Sequence, residues 1–474
     1  MHFIDLLIFS VYMFAVIGIG VRFLLLNKGI EDYYVGGRKI GSWHIGLSVV
    51  ATDVGGGFSI GLGGLGFIMG IAGSWMLFTG LLGAWLSAVL LIPRVKKLEQ
   101  TRSLFTFPQF LGSFYNKRVA LMAGIISAIG YLGFTSSQIL AGAKLASATF
   151  IQLDLQTALI IMGVIVIIYT AMGGIKAVIY TDTIQWIILM VGLIFIGIPV
   201  AFFSLGGMEG ISAALPAKFF SLANISWQQL LNWGVTIIPI WFVGMTLYQR
   251  IYASRNKREA QKAWFVAGLF EWPIMAFMGV LLGLFARVAV SQGLFEYLGY
   301  ATASEIDAEM GLPLLLRTVL PVGLMGLMMA AYFSAIMSTA DSCLMASSGN
   351  FLTDILSRWT KNITGKKKFL LISQALTLVL GVLALMLASV MPNVLELMLY
   401  SYAFMVSGLF VPVIGALFMK HPSNAAAFWA MLLGGGTTIT LIAGRWDLPL
   451  GLDANIFGIS ISFLTFLIIN LLKK

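Results

Sequence analysis

Apolar residues run along this chain in blocks long enough to cross a membrane, separated by short clusters of charge. Counting apolar runs of roughly 20 residues gives about 13 candidate spans. Their approximate bounds are 4–26, 44–69, 71–93, 119–149, 156–175, 179–204, 228–253, 262–291, 312–356, 369–391, 394–419, 424–443 and 454–472. The ninth window is too long for one span. It reads as a short outer helix over Pro313–Thr318 and then a spanning helix from near Val322.

The second window holds the least helix-like run, Ala51-Thr52-Asp53-Val54-Gly55-Gly56-Gly57. Each glycine weakens a helix interior by roughly 1 kcal/mol, and a carboxylate in hydrocarbon costs roughly 3 kcal/mol or more. Unwound backbone at bilayer depth is tolerated only where protein or a polar cavity satisfies its carbonyls. A spanning helix broken beside an acid exposes oxygen atoms to a cation, which points to transport. Five windows later, Pro239 and Gly244 interrupt the seventh span. Paired breaks of this kind mark inverted repeats whose first helices part at the substrate site. Residues 42–204 and 227–420 then form two repeats of five spans each, with an extra helix and loop before them (1–41) and two extra helices after them (421–474). The expected fold class is an all-α integral membrane protein with a single transporter domain.

Composition narrows the class. The chain of 474 residues is 59% hydrophobic and 10% charged, with a mean hydropathy of +0.96. No soluble domain of that size hides so much apolar surface. The net charge of +10 needs no nucleic acid to explain it. Basic residues collect on alternate loops, among them Arg38, Lys39, Arg94, Lys96, Lys97, Arg250, Arg255 and Lys257, while Glu296, Glu305, Asp307 and Glu309 lie on the others. The positive-inside rule then puts the N-terminus outside and the C-terminus in the cytoplasm, with the cations facing the lipid bilayer. The first apolar stretch lacks a basic leader and a cleavage site, so it reads as a retained anchor. Enzyme chemistry finds no support. His2, His44 and His421 are scattered, Cys343 has no histidine at a recognisable spacing, and no HExxH run occurs. Nor do the acids form the repeating ring of a channel.

The ninth span supplies candidate ligands. Ala335, Ser338 and Thr339 stand at i, i+3 and i+4 and share one helical face. If the 51–54 segment faces this helix, the carbonyls of Ala51 and Val54 complete a five-oxygen cage suited to a small hard cation that must also be released; the other reading is that Ser338 and Thr339 only mediate helix packing. Asp341 and Ser342 follow on the same span.

Several motifs together resemble the sodium/solute symporter family over nearly the full length. They are Asp32-Tyr33-Tyr34-Val35-Gly36-Gly37-Arg38, the Ala51–Gly57 run, Thr170–Asp182, Gln249-Arg250 with Glu259-Ala260-Gln261-Lys262, and Ser338-Thr339-Ala340-Asp341-Ser342 with Thr353-Asp354-Ile355. The resemblance implies a LeuT-type fold and Na+-coupled symport of a small organic solute into the cell by alternating access. It puts the shared sodium site on Ala51, Val54, Ala335, Ser338 and Thr339. The ion-site motifs are more similar to the proline-transporter type, whose members carry an aspartate at the position of Asp53 and so imply a coupling role there. Some members bind a second sodium near the position of Asp182. Asp53, Asp182, Asp341 and Ser342 are therefore the candidate set for a second cation or for coupling, although Asp341 stands where those members have serine. The alternative is a proton-coupled symporter of the same fold using Asp53, Asp182 or Asp341.

Sugar-transporting members carry glutamine, asparagine and lysine where this chain has Phe58, Gly244 and Glu271. The resemblance thus favours an amino acid or amine over a sugar. Glu271 either meets a solute ammonium or has an internal partner, Lys144 or a backbone carbonyl. Gly55, Gly56, Phe58, Trp241, Gly244, Glu271 and Tyr400 are the candidate solute contacts, with the three aromatics serving as pocket walls or as ordinary packing.

Overall fold

The computed structural model describes residues 2–26, 38–53, 55–99, 101–102, 104–150, 152–172, 175–356 and 366–472. Apolar runs become helices throughout, because in lipid a helix satisfies every backbone group within its own segment. The first half of the chain forms α1 (Phe3–Leu26), α2 (Ser42–Asp53), α3 (Gly55–Met69), α4 (Trp75–Leu90) and α5 (Ile92–Glu99). These are followed by α6 (Phe107–Gly112), α7 (Lys117–Thr149), α8 (Leu155–Met172) and α9 (Ile175–Gly192). Polar residues mark several starts. The Thr106 side chain accepts from Gln109 N at the head of α6, and Asn116 caps α7 in the same way.

The second half begins with α10 (Trp227–Val243) and α11 (Met245–Ala253), then α12 (Lys257–Leu269) and α13 (Ala276–Ser291). A short α14 (Ala308–Val319) precedes the long α15 (Leu324–Asn350), which runs on into a π-helical turn, Phe351–Ile355. The chain finishes with α16 (Lys366–Ala388), α17 (Val394–Phe418), α18 (Asn424–Gly444) and α19 (Ala454–Leu472).

Among the described residues, nine helical runs are long and apolar enough to span a membrane, or ten when α10 and α11 count as one bent span. The expected number was larger. Phe3–Val16 and Leu155–Ala171 are apolar but shorter, and Ser59–Leu90 is one helical run across the second and third windows. Hydropathy windows see composition and not where a helix continues, which is why the two counts differ.

The seventh-span break is present: α10 and α11 meet at Gly244 with a bend of 43°. In the second span Val54 lies outside the described residues, with helix up to Asp53 and again from Gly55. Gly55, Gly56 and Gly57 are helical and not unwound.

Burial separates centre from rim. In α15 with its π turn, 94% of the spanning window is buried, against 22% for α19. Glycine allows close helix contact: a Cβ on Gly283 of α13 would sit 1.9 Å from the carbonyl oxygen of Gly63 on α3. Small residues let membrane helices touch backbone to backbone in this way. The N-terminal helix is fastened to the central one. Asp5 on α1 accepts from Gly323 N at 2.6 Å and Gly326 N at 2.9 Å, where α15 begins.

Candidate cation site and cavity

The i, i+3, i+4 face of α15 meets the last turn of α2. Thr339 Oγ1 lies 2.9 Å from Ala51 O and 3.0 Å from Ala335 O. Ser338 donates to the carboxylate of Asp182 on α9. Ala51, Ala335, Ser338 and Thr339 are all buried where α15 meets α2, and four of the five residues expected to hold sodium lie there. The fifth, Val54, lies outside the described residues, as do the side chains of Asp53, Gly55, Gly56 and Phe58.

Asp182 is the hub of a second group. Its Oδ2 accepts from Ser48 Oγ at 2.5 Å and faces Arg250 Nη2 at 3.4 Å. Arg250 also donates to Ser48 Oγ at 3.0 Å, Ser342 Oγ at 3.1 Å, Thr246 O at 3.2 Å, and the hydroxyl of Thr52. Sequence reading assigned Arg250 to a basic loop, but it is fully buried. The reason is that α11 packs into the bundle right after the Gly244 bend, and its guanidinium finds enough acceptors there to leave water. Asp341 points elsewhere and accepts from Thr170 at the end of α8. Ser48, Thr52 and Thr170 were missed as partners; a hydroxyl one or two turns from an acid carries no signal of its own in an apolar window.

Lys144 corrects another expectation. It pairs with Glu309 at 2.5 Å and Asp307 at 2.6 Å, not with Glu271. Glu309 in turn accepts from Val394 N at 2.8 Å and Leu395 N at 2.9 Å, capping the start of α17. Glu271 is fully buried in the π-helical turn Phe270–Met275, with its carboxylate against Gly80 of α4.

Beside this lysine opens a cavity of about 840 Å³, walled by α3, α10 and α17. Asp307, Glu309, Glu396 and Asp453 line it, and no lysine or arginine does among the described lining residues. Tyr400 stands on the wall and donates to Glu396 at 2.5 Å. Trp241 does not reach it: the ring is fully buried, edge-on to Trp264 at 6.2 Å and packed on Gly83. Gly244 lies at the bend, next to the Tyr131 hydroxyl. The opposite end of the bundle is tied shut. Arg38 pairs with Glu99, and Lys96 joins Glu99 at 2.7 Å to the carbonyls of Ile251 at 3.2 Å and Ser254 at 2.9 Å.

Facing oxygens of α2 and α15, a span bent at Gly244 and an acid-lined cavity are what the described residues contribute. A model of the sodium:solute symporter family matches residues 33–434. The chain belongs to that family. Sodium is accordingly its coupling ion, and it is a transporter and not an enzyme.

The symporter is 27% identical to the sodium/proline symporter of Escherichia coli strain K12, over 99% of this chain and 93% of that one. It is 26% identical to a sodium/glucose cotransporter of Vibrio parahaemolyticus, over 100% and 89%. Such similar values on both sides leave the solute open. In fold it is similar to an outward-open, Na+-coupled sialic acid symporter, with a TM-score of 0.79 and 21% identity over 99% of this chain and 98% of that one. It is also similar in fold to Mhp1, a nucleobase-cation-symport-1 family transporter, at a TM-score of 0.57 and 12% identity over 93% of this chain and 94% of that one.

Proposed function

We propose that this symporter carries an amino acid or amine together with sodium held between α2 and α15. The carrying observation is the Thr339 hydroxyl set between Ala51 O and Ala335 O, with Ser338 beside it. The carbonyl of Val54 completes the ligand set. Residues 42–204 and 227–420 serve as two inverted repeats, the second opening on the span bent at Gly244, and the acidic cavity faces outward. Its surplus of carboxylates favours a solute with an ammonium group, because a like-charged lining repels a lone carboxylate. Tyr400 and Gly244 remain the candidate contacts on the solute's path. Trp241 and Glu271 serve packing.

Asp182 acts on coupling through Ser338, and Arg250 takes the place near Asp182 and Ser342 that a second cation would need. One sodium per solute follows. Asp53 keeps a coupling role, and Asp341, bound to the Thr170 hydroxyl and not to a cation, is the residue a proton-driven cycle would use.

Uptake into proteoliposomes tests the reading. Uptake of amino acids or amines should need a sodium gradient and vanish in Ser338→Ala and Thr339→Ala. Uptake that survives without sodium and follows a pH gradient would favour the proton cycle instead.

A further inference from the structure

Two asparagines fasten the last helix of the chain to a wall of the acidic cavity. On α10 that wall is Gln229, Trp233 and Thr236, and on α17 it is Glu396, Tyr400 and Ala403. Asp453 and Ala454, where α19 begins, line the same cavity. Asn232 of α10 clasps this approach with both ends of its amide. Its Nδ2 donates to Gly451 O at 3.1 Å, and its Oδ1 accepts from Asp453 N at 3.0 Å. One turn further along α10, Thr236 Oγ1 accepts from Asn455 Nδ2 at 2.8 Å and donates to Asn232 O at 2.8 Å. On the other wall, the Ser407 hydroxyl of α17 donates to Ala403 O at 2.7 Å and lies 3.4 Å from Asn455 O. The first turn of α19 therefore meets both walls. Asn232, Thr236, Ser407 and Asn455 are all buried, where the low dielectric strengthens such bonds.

The other side of α19 is locked. A Cβ on Gly458 would stand 2.0 Å from Thr438 Oγ1 and 2.8 Å from Gly434 O of α18, and 2.9 Å from Ser407 Oγ of α17. A Cβ on Gly434 would stand 2.4 Å from Ser407 O and 2.7 Å from Ser462 Cβ. Thr438 also donates to Ser407 Oγ at 2.7 Å. Close packing of this kind transmits displacement and does not absorb it, so α17, α18 and α19 act as one block. The clasp joins α10 to that block. Asn455 is a poor stabiliser in its own right. Its Oδ1 is fully buried and has no hydrogen-bond partner among the described residues, which is unfavourable. What its amide contributes is a direction, one bond aimed at α10.

We propose that Asn455 and Asn232 are positioning residues that hold α10 at its open distance from α17. By this means α19, outside the two repeats, sets the outward-open state. Neither side chain lines the cavity, so both act through the wall and not on the solute. Closure swings α10 toward α17 and breaks the bonds from Asn232 and Asn455. This rests on the reading that the acidic cavity faces outward and admits the solute.

Spin-label distances in the full chain, reconstituted in proteoliposomes, test it. In a Cys343→Ala background, Trp227→Cys at the start of α10 and Val390→Cys just ahead of α17 are exposed labelling positions on the two walls. With sodium and no solute, the ratio of short to long distances should rise roughly five-fold in Asn455→Leu, the factor that one hydrogen bond is worth. Thr236→Val removes the same bond and should give the same rise, and the double variant should go no further. The unfolding temperature of Asn455→Leu should not fall, whereas an asparagine with a purely structural role would lower it. An unchanged ratio in Asn455→Leu overturns the proposal, and so does a further rise of the same size in the double variant. The reading beneath it fails on a different measurement: Leu399→Cys, on the cavity wall, inert to a membrane-impermeant methanethiosulfonate applied outside cells.

Discussion

The hydroxyl oxygen of Thr339 on α15 lies 2.9 Å from the carbonyl oxygen of Ala51 on α2. That contact joins α2 to α15, the most buried of the described candidate spans. Thr339→Val keeps the shape and removes the oxygen. The sodium concentration for half-maximal thermal stabilisation should rise by roughly ten-fold, about 1.4 kcal/mol. An unchanged sodium titration would remove Thr339 from the site.

Arg250 and Asp182 are fully buried partners, 0% and 1% exposed at their side chains. Removing one leaves the other charged and dry, at a cost of about 3–5 kcal/mol. Arg250→Met and Asp182→Asn should each lower the unfolding temperature in detergent. The double variant should recover part of the loss, since the two sites share one interaction. Strict additivity of the two losses would show that the pair is not coupled.

Asp5 holds the head of α15 through two backbone N–H groups. A side-chain cap with a negative charge at a helix N-terminus contributes about 1–2 kcal/mol. Asp5→Ala should therefore lower stability by that amount and expose α1 to protease, with Asp5→Asn in between. Equal protection of all three proteins would mean that α1 is held by apolar contact alone.

A Cβ on Gly80 would stand 1.9 Å from Glu271 Oε2. Gly80→Ala should reduce expression and thermal stability, and Glu271→Ala in the same chain should restore much of both by vacating the space. Solute KM in Glu271→Gln should stay near the wild-type value, because Glu271 lines α4 and not the cavity. A large rise in KM would return Glu271 to the solute site.

Burial raises the Asp453 carboxyl above the usual carboxylate range. It therefore takes up a proton at a higher pH than an ordinary aspartate as the medium is acidified, and the cavity loses that negative charge. KM for a cationic solute should rise as pH falls through that range, and Asp453→Asn should flatten the dependence. The comparison of KM against pH in the two proteins reads this directly. Identical profiles would place the titration elsewhere.

Much of the site was legible because it is local. Ala335, Ser338 and Thr339 share a face by helical spacing alone, and a proline and glycine in an apolar run announce a bend that α10 and α11 show at Gly244. Other parts were not legible. Arg250 looked like a loop cation because it follows an apolar run, and its acceptors on α2, α9 and α15 come from distant parts of the chain. Lys144 sits 165 residues from Glu309, with nothing near it in sequence to name that partner over Glu271. The triple glycine did not mark an unwound stretch, since Gly55, Gly56 and Gly57 are helical.

By itself the sequence determined that this is a multi-span helical membrane protein, which residues share the cation-facing side of α15, and which family it resembles. These follow from hydropathy, helical period and motif, each a property of one stretch of chain. Only the tertiary structure decided which charges neutralise one another, which aromatic rings reach the cavity, and where a buried amide lacks a partner. A charge or amide is satisfied by whatever helix the packing brings within about 3 Å, and no single stretch of sequence contains that helix.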